Sequence, residues 1–379
     1  MNWNDAATVY CRGESFLVRR SGRFLVADLL VPHLALSTCP VNGGQSERVR
    51  FVVNHQSCEG ADHSERQEVM TAAGSEGYHH QVCGELGLAP ETVAMMGTAA
   101  NMNYAAHQRA SFAGLIVDAI VTAGVHGNAT RAADPASWVE TADGWKKKPM
   151  FSGTINTMLF INRPLTPAAL ARAVVTMTEG KSAALQELAV RSKYSQHLAT
   201  GTGTDQYCIV APLAGDHKAL TSTSPHVQLG EMIGRVALDA TKEALRWQNG
   251  LEASLTRSIV HALGRFGLTE VRLRSAIATR LTERERVLFD KNSNAVLFEP
   301  AVASRAYAYA AVLDRIQYGT LPKTMASDVL REQAAGLASA LAAKPHLWFD
   351  FFQRIAVDVE EPLDAVVAAL ALGWSHKWS

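Results

Sequence analysis

The chain lacks several things, and each absence removes a class of function. It has no charge imbalance: 36 Lys and Arg stand against 36 Asp and Glu in 379 residues. No long-range field therefore draws it to nucleic acid or to an anionic membrane, and neither is expected as a partner. It is poor in cysteine. The five (Cys11, Cys39, Cys58, Cys83, Cys208) are an odd, scattered set without a CxxC pair, which argues against a disulfide framework and a structural zinc knuckle. It lacks long apolar runs. The opening MNWNDAATVYCRGE has no basic stretch followed by an apolar one, and the most apolar segment, LDAVVAALALGW, is too short to span a bilayer. A reducing cytoplasm is the expected location. No HxxEH or HxH pattern offers metal ligands, and His79 and His80 are adjacent, so their side chains diverge. No catalytic metal is assigned, and a divalent ion is left open. No repeat period or low-complexity tract is visible.

What is present divides into two textures. Up to about residue 250 the pattern is mixed α/β. FLVRRSGRFLVADLL predicts a hairpin turning at Ser21-Gly22. RVRFVVNHQ predicts a strand ending at Asn54-His55. LIVDAIVTAGV and TINTMLFIN are near-continuous apolar runs, the pattern of strands covered on both faces. TPAALARAVVTMTEGKSAALQEL predicts a helix capped by Thr166 with Pro167 in its first turn, and Leu170, Val174, Thr178, Lys181 and Leu185 recur along it at helical spacing. From about residue 251 the chain turns Ala/Leu/Arg-rich and helically periodic. The expected architecture is a mixed, mostly buried sheet flanked by helices (1–250), followed by an all-helical domain (251–379). In that domain HLWFDFFQRI carries Trp348, Phe349, Phe351 and Phe352, read as core or subunit interface in preference to a lid, and a homo-oligomer is left open.

Polar residues gather where strands end. LATGTGTDQ packs two glycines, three threonines and an aspartate into nine residues. Its third dinucleotide-fingerprint position is Gln206, and the expected strand, YCIVAP, follows the loop where a nucleotide fold would have it precede, so a phosphate cradle is excluded. The glycines alone would mean a tight turn. The crowding of Thr202, Thr204 and Asp205 beside them shifts the reading toward a site wall. TSTSPHVQLGEMIGR predicts a helix with Ser224 as cap and Pro225 at its first position. That puts His226 in the first turn, where free N–H groups favour an anion. Further strand ends carry Asn42 in VNGG, His55, and the series His126, Asn128, Arg131 and Asp134. Asn156 lies within a strand covered on both faces, where an amide is costly unless hydrogen-bonded, so it marks either a structural network or ligand contacts.

The ordered series STCPVNGG, VVNH, MMGTAA, VTAGVHGNATRAADP, GTINTMLFINRPL, ALARAVVTMTEGKSAALQEL, YSQHLATGTGTDQ and TSPHVQLGEMIGRV, from about residue 30 to 245, resembles the adenosylcobinamide amidohydrolase family of corrinoid salvage. The resemblance implies hydrolysis of the amide joining aminopropanol to a corrin propionate, with a cobalt corrinoid as substrate and no further cofactor. It carries Asn42, His55, Asn128, Arg131, Asp134, Asn156, Glu179, Lys181, Thr202, Thr204, Asp205, His226 and Glu231 as the matching polar residues. It leads one to expect glycine at Ala133 and alanine at Gly180. The roles expected here are Asp205 or Glu179 activating a water (or the hydroxyl of Thr202 or Thr204 attacking), His226 protonating the leaving amine, and amides near Ser224, or Asn128, holding the oxyanion. Lys181 and Glu231 are read as substrate contacts. A corrinoid-binding protein without hydrolysis, and an amidohydrolase for another amide, are the alternatives.

Overall fold

In the computed structural model, residues 7–58, 63–136, 138–142, 144–147, 153–213 and 217–378 are described. They form two compact units, 1–251 and 252–379.

The first unit is built on two sheets. One has the order β1-β2-β3-β6-β7, from β1 (Thr8–Arg12), β2 (Phe16–Ser21), β3 (Phe24–Leu29), β6 (Phe51–Gln56) and β7 (Val93–Thr98). The other runs β5-β4-β15-β13-β9-β8, from β4 (His33–Ser37), β5 (Gly44–Ser46), β8 (Ala106–Phe112), β9 (Leu115–Ala123), β13 (Ile155–Ile161) and β15 (Gln206–Pro212). Both are mixed: β6 and β7, and β13 and β15, are parallel, and the remaining pairs are antiparallel. Two short antiparallel pairs, β10 (Ala129–Thr130) with β14 (Gly201–Thr202) and β11 (Trp138–Thr141) with β12 (Gly144–Lys147), form separate two-stranded sheets. The hairpin expected at Ser21-Gly22 is β2–β3, with Gly22 at φ +52.

Three helices cover the sheets: α1 (His63–Leu86), α2 (Pro167–Glu187) and α3 (Gln228–Asn249). Three apolar clusters define four layers. Tyr78, Val82 and Leu86 of α1 pack on Phe24, Val26 and Val53. The opposite face of that sheet, with Val18, Ala27, Val52 and Met96, packs on Ile120, Met158, Phe160 and Val210. The far face of the second sheet, with Val121, Leu159 and Ile209, packs on α2 and α3. All seven residues of β13 are buried because both of its faces meet another layer, the case read from TINTMLFIN.

Helix α2 starts as expected: Thr166 accepts from the Ala169 N–H, with Pro167 first. Its buried face runs through Ala169, Ala173, Gly180 and Ala184 as well as Leu170 and Leu185. Those small residues let α3 approach closely. A Cβ at Gly180 would lie 3.1 Å from Gly234 Cα and C, and nearer still to Gly234 O. The alanine that the family resemblance leads one to expect therefore cannot be accommodated at Gly180 in this helix crossing. Gly180→Ala is expected to destabilise the chain. The intrinsic helix gain of about 1 kcal/mol is outweighed by about 1–3 kcal/mol of overpacking against backbone that cannot rotate aside. Denaturant unfolding checks the sign.

The second unit is helical throughout its described residues, from α4 (Ala253–Thr256), α5 (Ile259–Leu263), α6 (Glu270–Ala278), α7 (Glu283–Asn292) and α8 (Asn294–Leu297) to α9 (Pro300–Gln317), α10 (Lys323–Ala342), α11 (Trp348–Arg354) and α12 (Pro362–Ser375). Its core holds Phe289, Tyr309, Phe351 and Trp374, and Tyr309 Oη and Trp374 Nε1 donate to the carbonyls of Pro362 and Glu285. Of the four aromatics in HLWFDFFQRI, Phe351 is buried in the core and Phe352 packs against it partly buried. Phe349 is 61% exposed, and Trp348 stacks on Phe352 at 5.3 Å. Among the described residues no helix is long and apolar enough to cross a membrane.

Candidate functional site

The strand ends named from the sequence converge at one end of the two-sheet sandwich. Register explains how. Asn156 of β13 is paired with Gln206 of β15, so both side chains project into the layer between the sheets, beside Gly97 on the edge of β7. The outward N–H and C=O of Gly97 are taken by these two side chains: Gln206 Oε1 accepts from Gly97 N at 2.9 Å, and Asn156 Nδ2 donates to Gly97 O at 3.0 Å. Two side-chain amides thus stand where another strand would pair, and they tie the sheets together. Asn156 also donates to Asn54 Oδ1 (2.9 Å), and Asn54 Nδ2 donates to Thr122 Oγ1 (2.7 Å). Asn156 is fully buried, so the requirement that a strand amide be satisfied is met by a structural network.

The loop LATGTGTDQ is braced from inside. Asp205 Oδ1 accepts from Ile155 N (3.0 Å) and Thr202 Oγ1 (2.5 Å); Oδ2 accepts from Thr202 N (3.1 Å) and from Lys181 Nζ, with which it forms an ion pair. A carboxylate has about four lone-pair positions, and all four are occupied. Asp205, Thr202 and Lys181 therefore form one strut from α2 to the loop. Thr154 Oγ1 donates to Thr204 O (2.6 Å), and Thr204 Oγ1 donates to Gly153 O (2.9 Å). Asn128 spends its amide protons on Gly153 O and Thr204 Oγ1, and its Oδ1 accepts from Tyr194 Oη.

Beside this braced loop lies a cavity of about 330 Å³. One wall is the end of β6 and β7 with the turn after each (His55, Ser57, Cys58, Gly97, Thr98, Ala99). A second is Gly153, Thr154, Thr204 and Gln206, and a third is α1, through Met70, Gly74, Ser75, Tyr78 and His79. Pro40 and Val41 close it. Helix α1 breaks at Gly74, whose φ of +66 and ψ of +171 no L residue adopts readily, and the break lies one turn before Tyr78. His55 packs face to face on Phe24 (4.6 Å, 12°), and its Nε2 lies 3.0 Å from Tyr78 Oη.

Of the residues expected from the sequence, His55 and Thr204 are in the cavity wall; Asp205, Thr202, Lys181, Asn128 and Asn156 stand behind it as bracing. Asn42, at φ +57, donates to the carbonyls of Pro90 and Val93 and holds the turn into β7. Asp134 ties its own loop: it accepts from Arg131 N (2.7 Å), Ser192 Oγ (2.5 Å) and Thr130 Oγ1 (3.2 Å). Burial pulls its carboxyl upward, but these bonds and one from Ser195 bring it below the ordinary value. Arg131 lies partly exposed on the same loop. Ala133 there takes φ +79, the left-handed region that suits the glycine expected at that place.

The expected start of α3 is corrected, and three expected residues lie outside the cavity wall. Ser224 does not cap α3: the helix begins at Gln228 with Val227 at the cap and no side-chain capping bond, because residues 224–227 make a turn first. His226 is consequently exposed and outside the helix. Nor does it join the loop at Asp205. Helix α3 is 22 residues, about 33 Å, and it is the far end, through Gln248 and Asn249, that accepts from Asn101 N and Val125 N near the cavity. Glu231 belongs with His226 at the remote end, ion-paired to Arg235 and accepting from Gln228 Nε2. Glu179 is exposed, because it sits about 200° round α2 from Lys181. Tyr78 and Gln206 were missed by reading from the sequence. Gln206 registered only as the residue that breaks a glycine fingerprint, and Tyr78 had no local signal, since its place depends on a helix docking across a sheet.

All five cysteines are free thiols; burial raises Cys39 and Cys83 to about 11. Among the described residues no group of three or more His, Cys, Asp or Glu is placed to hold a metal.

The chain is 36% identical over 184 residues to an uncharacterised protein of Methanocaldococcus jannaschii, a match covering 46% of this chain and 71% of that one. Among solved structures it is similar at 12% identity to the PH0078 protein of Pyrococcus horikoshii OT3 (63% of this chain, 83% of that one, TM-score 0.32). At the same identity it is similar to an L-aminopeptidase D-Ala-esterase/amidase of Ochrobactrum anthropi (63% and 82%, TM-score 0.30). The family model of adenosylcobinamide amidohydrolase matches residues 9–253, which takes in both sheets, all three covering helices and every wall of the cavity, and the chain belongs to that family.

Proposed function

We propose that this chain hydrolyses the amide joining aminopropanol to the corrin propionate of adenosylcobinamide, releasing adenosylcobyric acid for corrinoid salvage. The observation that carries this reading is where the cavity walls come from. VVNH supplies His55, MMGTAA supplies Gly97 to Ala99, GTIN supplies Gly153 and Thr154, and ATGTGTDQ supplies Thr204 and Gln206, all within the matched residues. A volume of about 330 Å³ is at the lower end of the roughly 300–1,000 Å³ that receives a drug-sized ligand. It suits the aminopropanol arm and its amide, with the macrocycle at the mouth.

The roles expected of Asp205 and His226 are not retained in this reading. The aspartate braces the loop, the histidine stands at the remote end of α3, and amide chemistry belongs to the cavity wall. The cobalt corrinoid enters as substrate, in the cytoplasm; a divalent metal is decided by assaying the protein after dialysis against a chelator. Incubation of the full chain with adenosylcobinamide, followed by mass spectrometry, tests the reaction. Release of aminopropanol with formation of the corrinoid acid is the expected result. Bound corrinoid of unchanged mass would replace hydrolysis by binding.

A further inference from the structure

We propose that Tyr78 and His55 form the proton relay of this hydrolysis and that Gln206 holds the scissile carbonyl, an inference that rests on the amide-hydrolysis reading above. Three features of the wall lead to it. His55 Nδ1 lies 3.4 Å from the carbonyl of Arg23, which can only accept; with the proton on Nδ1, the Nε2 lone pair is left to accept Tyr78 Oη–H at 3.0 Å. Both rings are nearly buried, His55 at 3% and Tyr78 at 8% exposure, yet both border the cavity. The face of Phe24 against the imidazole favours a transient positive charge there.

Gln206 completes the set. Its Oε1 is taken by Gly97 N, and Gly97 is the register partner of His55. The amide is thereby fixed on the outward side of Gly97, which is itself about one strand spacing, roughly 5 Å, from the His55 backbone, with its Nε2 protons unpartnered among the described residues. Nε2 is the end available to a substrate oxygen, and Thr204 and Thr154 stand beside it in the same wall.

The step balances without a co-reactant other than water. Water oxygen attacks the amide carbon while its proton passes to Tyr78 Oη, and the Tyr78 proton passes to His55 Nε2. The carbonyl π pair moves onto oxygen, where Gln206 Nε2–H holds it. On collapse the proton returns from His55 through Tyr78 to the departing nitrogen. The C–N bond breaks with its pair on nitrogen, and the C=O re-forms. The products are the carboxylic acid and the free amino alcohol, and the relay is restored.

The test is steady-state hydrolysis of adenosylcobinamide by the full-length protein, with affinity read separately from the visible spectrum of the bound corrinoid. Tyr78→Phe removes one oxygen, and His55→Gln keeps a planar amide. Each is expected to lower kcat about a hundredfold or more with corrinoid affinity kept. The double variant should be no worse than either single one, as for groups acting as a unit. A Tyr78→Phe protein within threefold of wild-type kcat overturns the relay and leaves the hydrolase reading intact. Loss of corrinoid binding together with rate assigns the pair to structure and overturns it too. A wild-type protein that binds corrinoid without cleaving it overturns both.

Discussion

Replacing Asp205 by alanine is expected to lower the stability of the first unit by about 3–5 kcal/mol, the cost of stripping one partner from a buried ion pair. Lys181 and Asp205 are 14% and 19% exposed, so the ammonium left behind is only partly hydrated. The loss does not stop at the charge. The N–H groups of Ile155 and Thr202 and the hydroxyl of Thr202 lose their acceptor at the same moment. Asp205→Asn keeps acceptor capacity on one oxygen and should fall between wild type and alanine. The Lys181→Met, Asp205→Ala double variant should recover part of the alanine cost, because an apolar pair leaves no buried charge unmatched. Guanidinium unfolding of the four proteins measures these differences. Activity should fall further than stability does, since Asp205 lies between Thr204 and Gln206, the two residues of its loop in the cavity wall.

Under the proposed reading the strongest motif in the sequence takes a supporting role, and the reason bears on what a sequence can reveal. Crowded hydroxyls and a carboxylate beside glycines mark a loop under tight local control. The same composition serves to bind a ligand or to bind the loop to itself. Local patterns were legible: the β2–β3 hairpin, the capped start of α2, the buried strands β9 and β13, and the change of texture near residue 250 all depend on neighbours in the chain. The two stacked sheets were not, because the layer between them gathers Val52 and Met96 of one sheet with Ile120 and Met158 of the other, residues far apart in the chain. The start of α3 misled for a local reason. Ser224-Pro225 fits a cap and first turn, but the chain makes a separate turn there and enters the helix three residues later. That shift carries His226 out of the first turn. Which end of a helix faces a site depends on the direction in which it crosses the sheet, and periodicity does not encode that.

Asn156 makes the second large prediction, since nothing about it is exposed. Its Nδ2 supplies donors to Asn54 Oδ1 and to Gly97 O in the layer between the sheets. Asn156→Ala strands both acceptors, and at about 1–3 kcal/mol for each unsatisfied buried group the expected loss is about 2–6 kcal/mol. Asn156→Asp is close in shape and should be no milder: it replaces the donors by a carboxylate that faces two further acceptors. Pairing Asn156→Leu with Asn54→Leu should cost less than the sum of the single changes, because the acceptor on Asn54 is then gone as well, leaving Gly97 O and Thr122 Oγ1 as the groups that lose a partner. A double-mutant cycle by denaturant unfolding reads this coupling, and additivity within about 0.5 kcal/mol would show that the amides do not act through one another. Catalysis should respond too, well below the unfolding temperature. Gly97 is held at the β7 edge by Asn156 on its carbonyl and Gln206 on its N–H. Releasing the carbonyl loosens the strand edge that fixes Gln206 in the cavity wall, so kcat should fall in Asn156→Ala even where the chain remains fully folded.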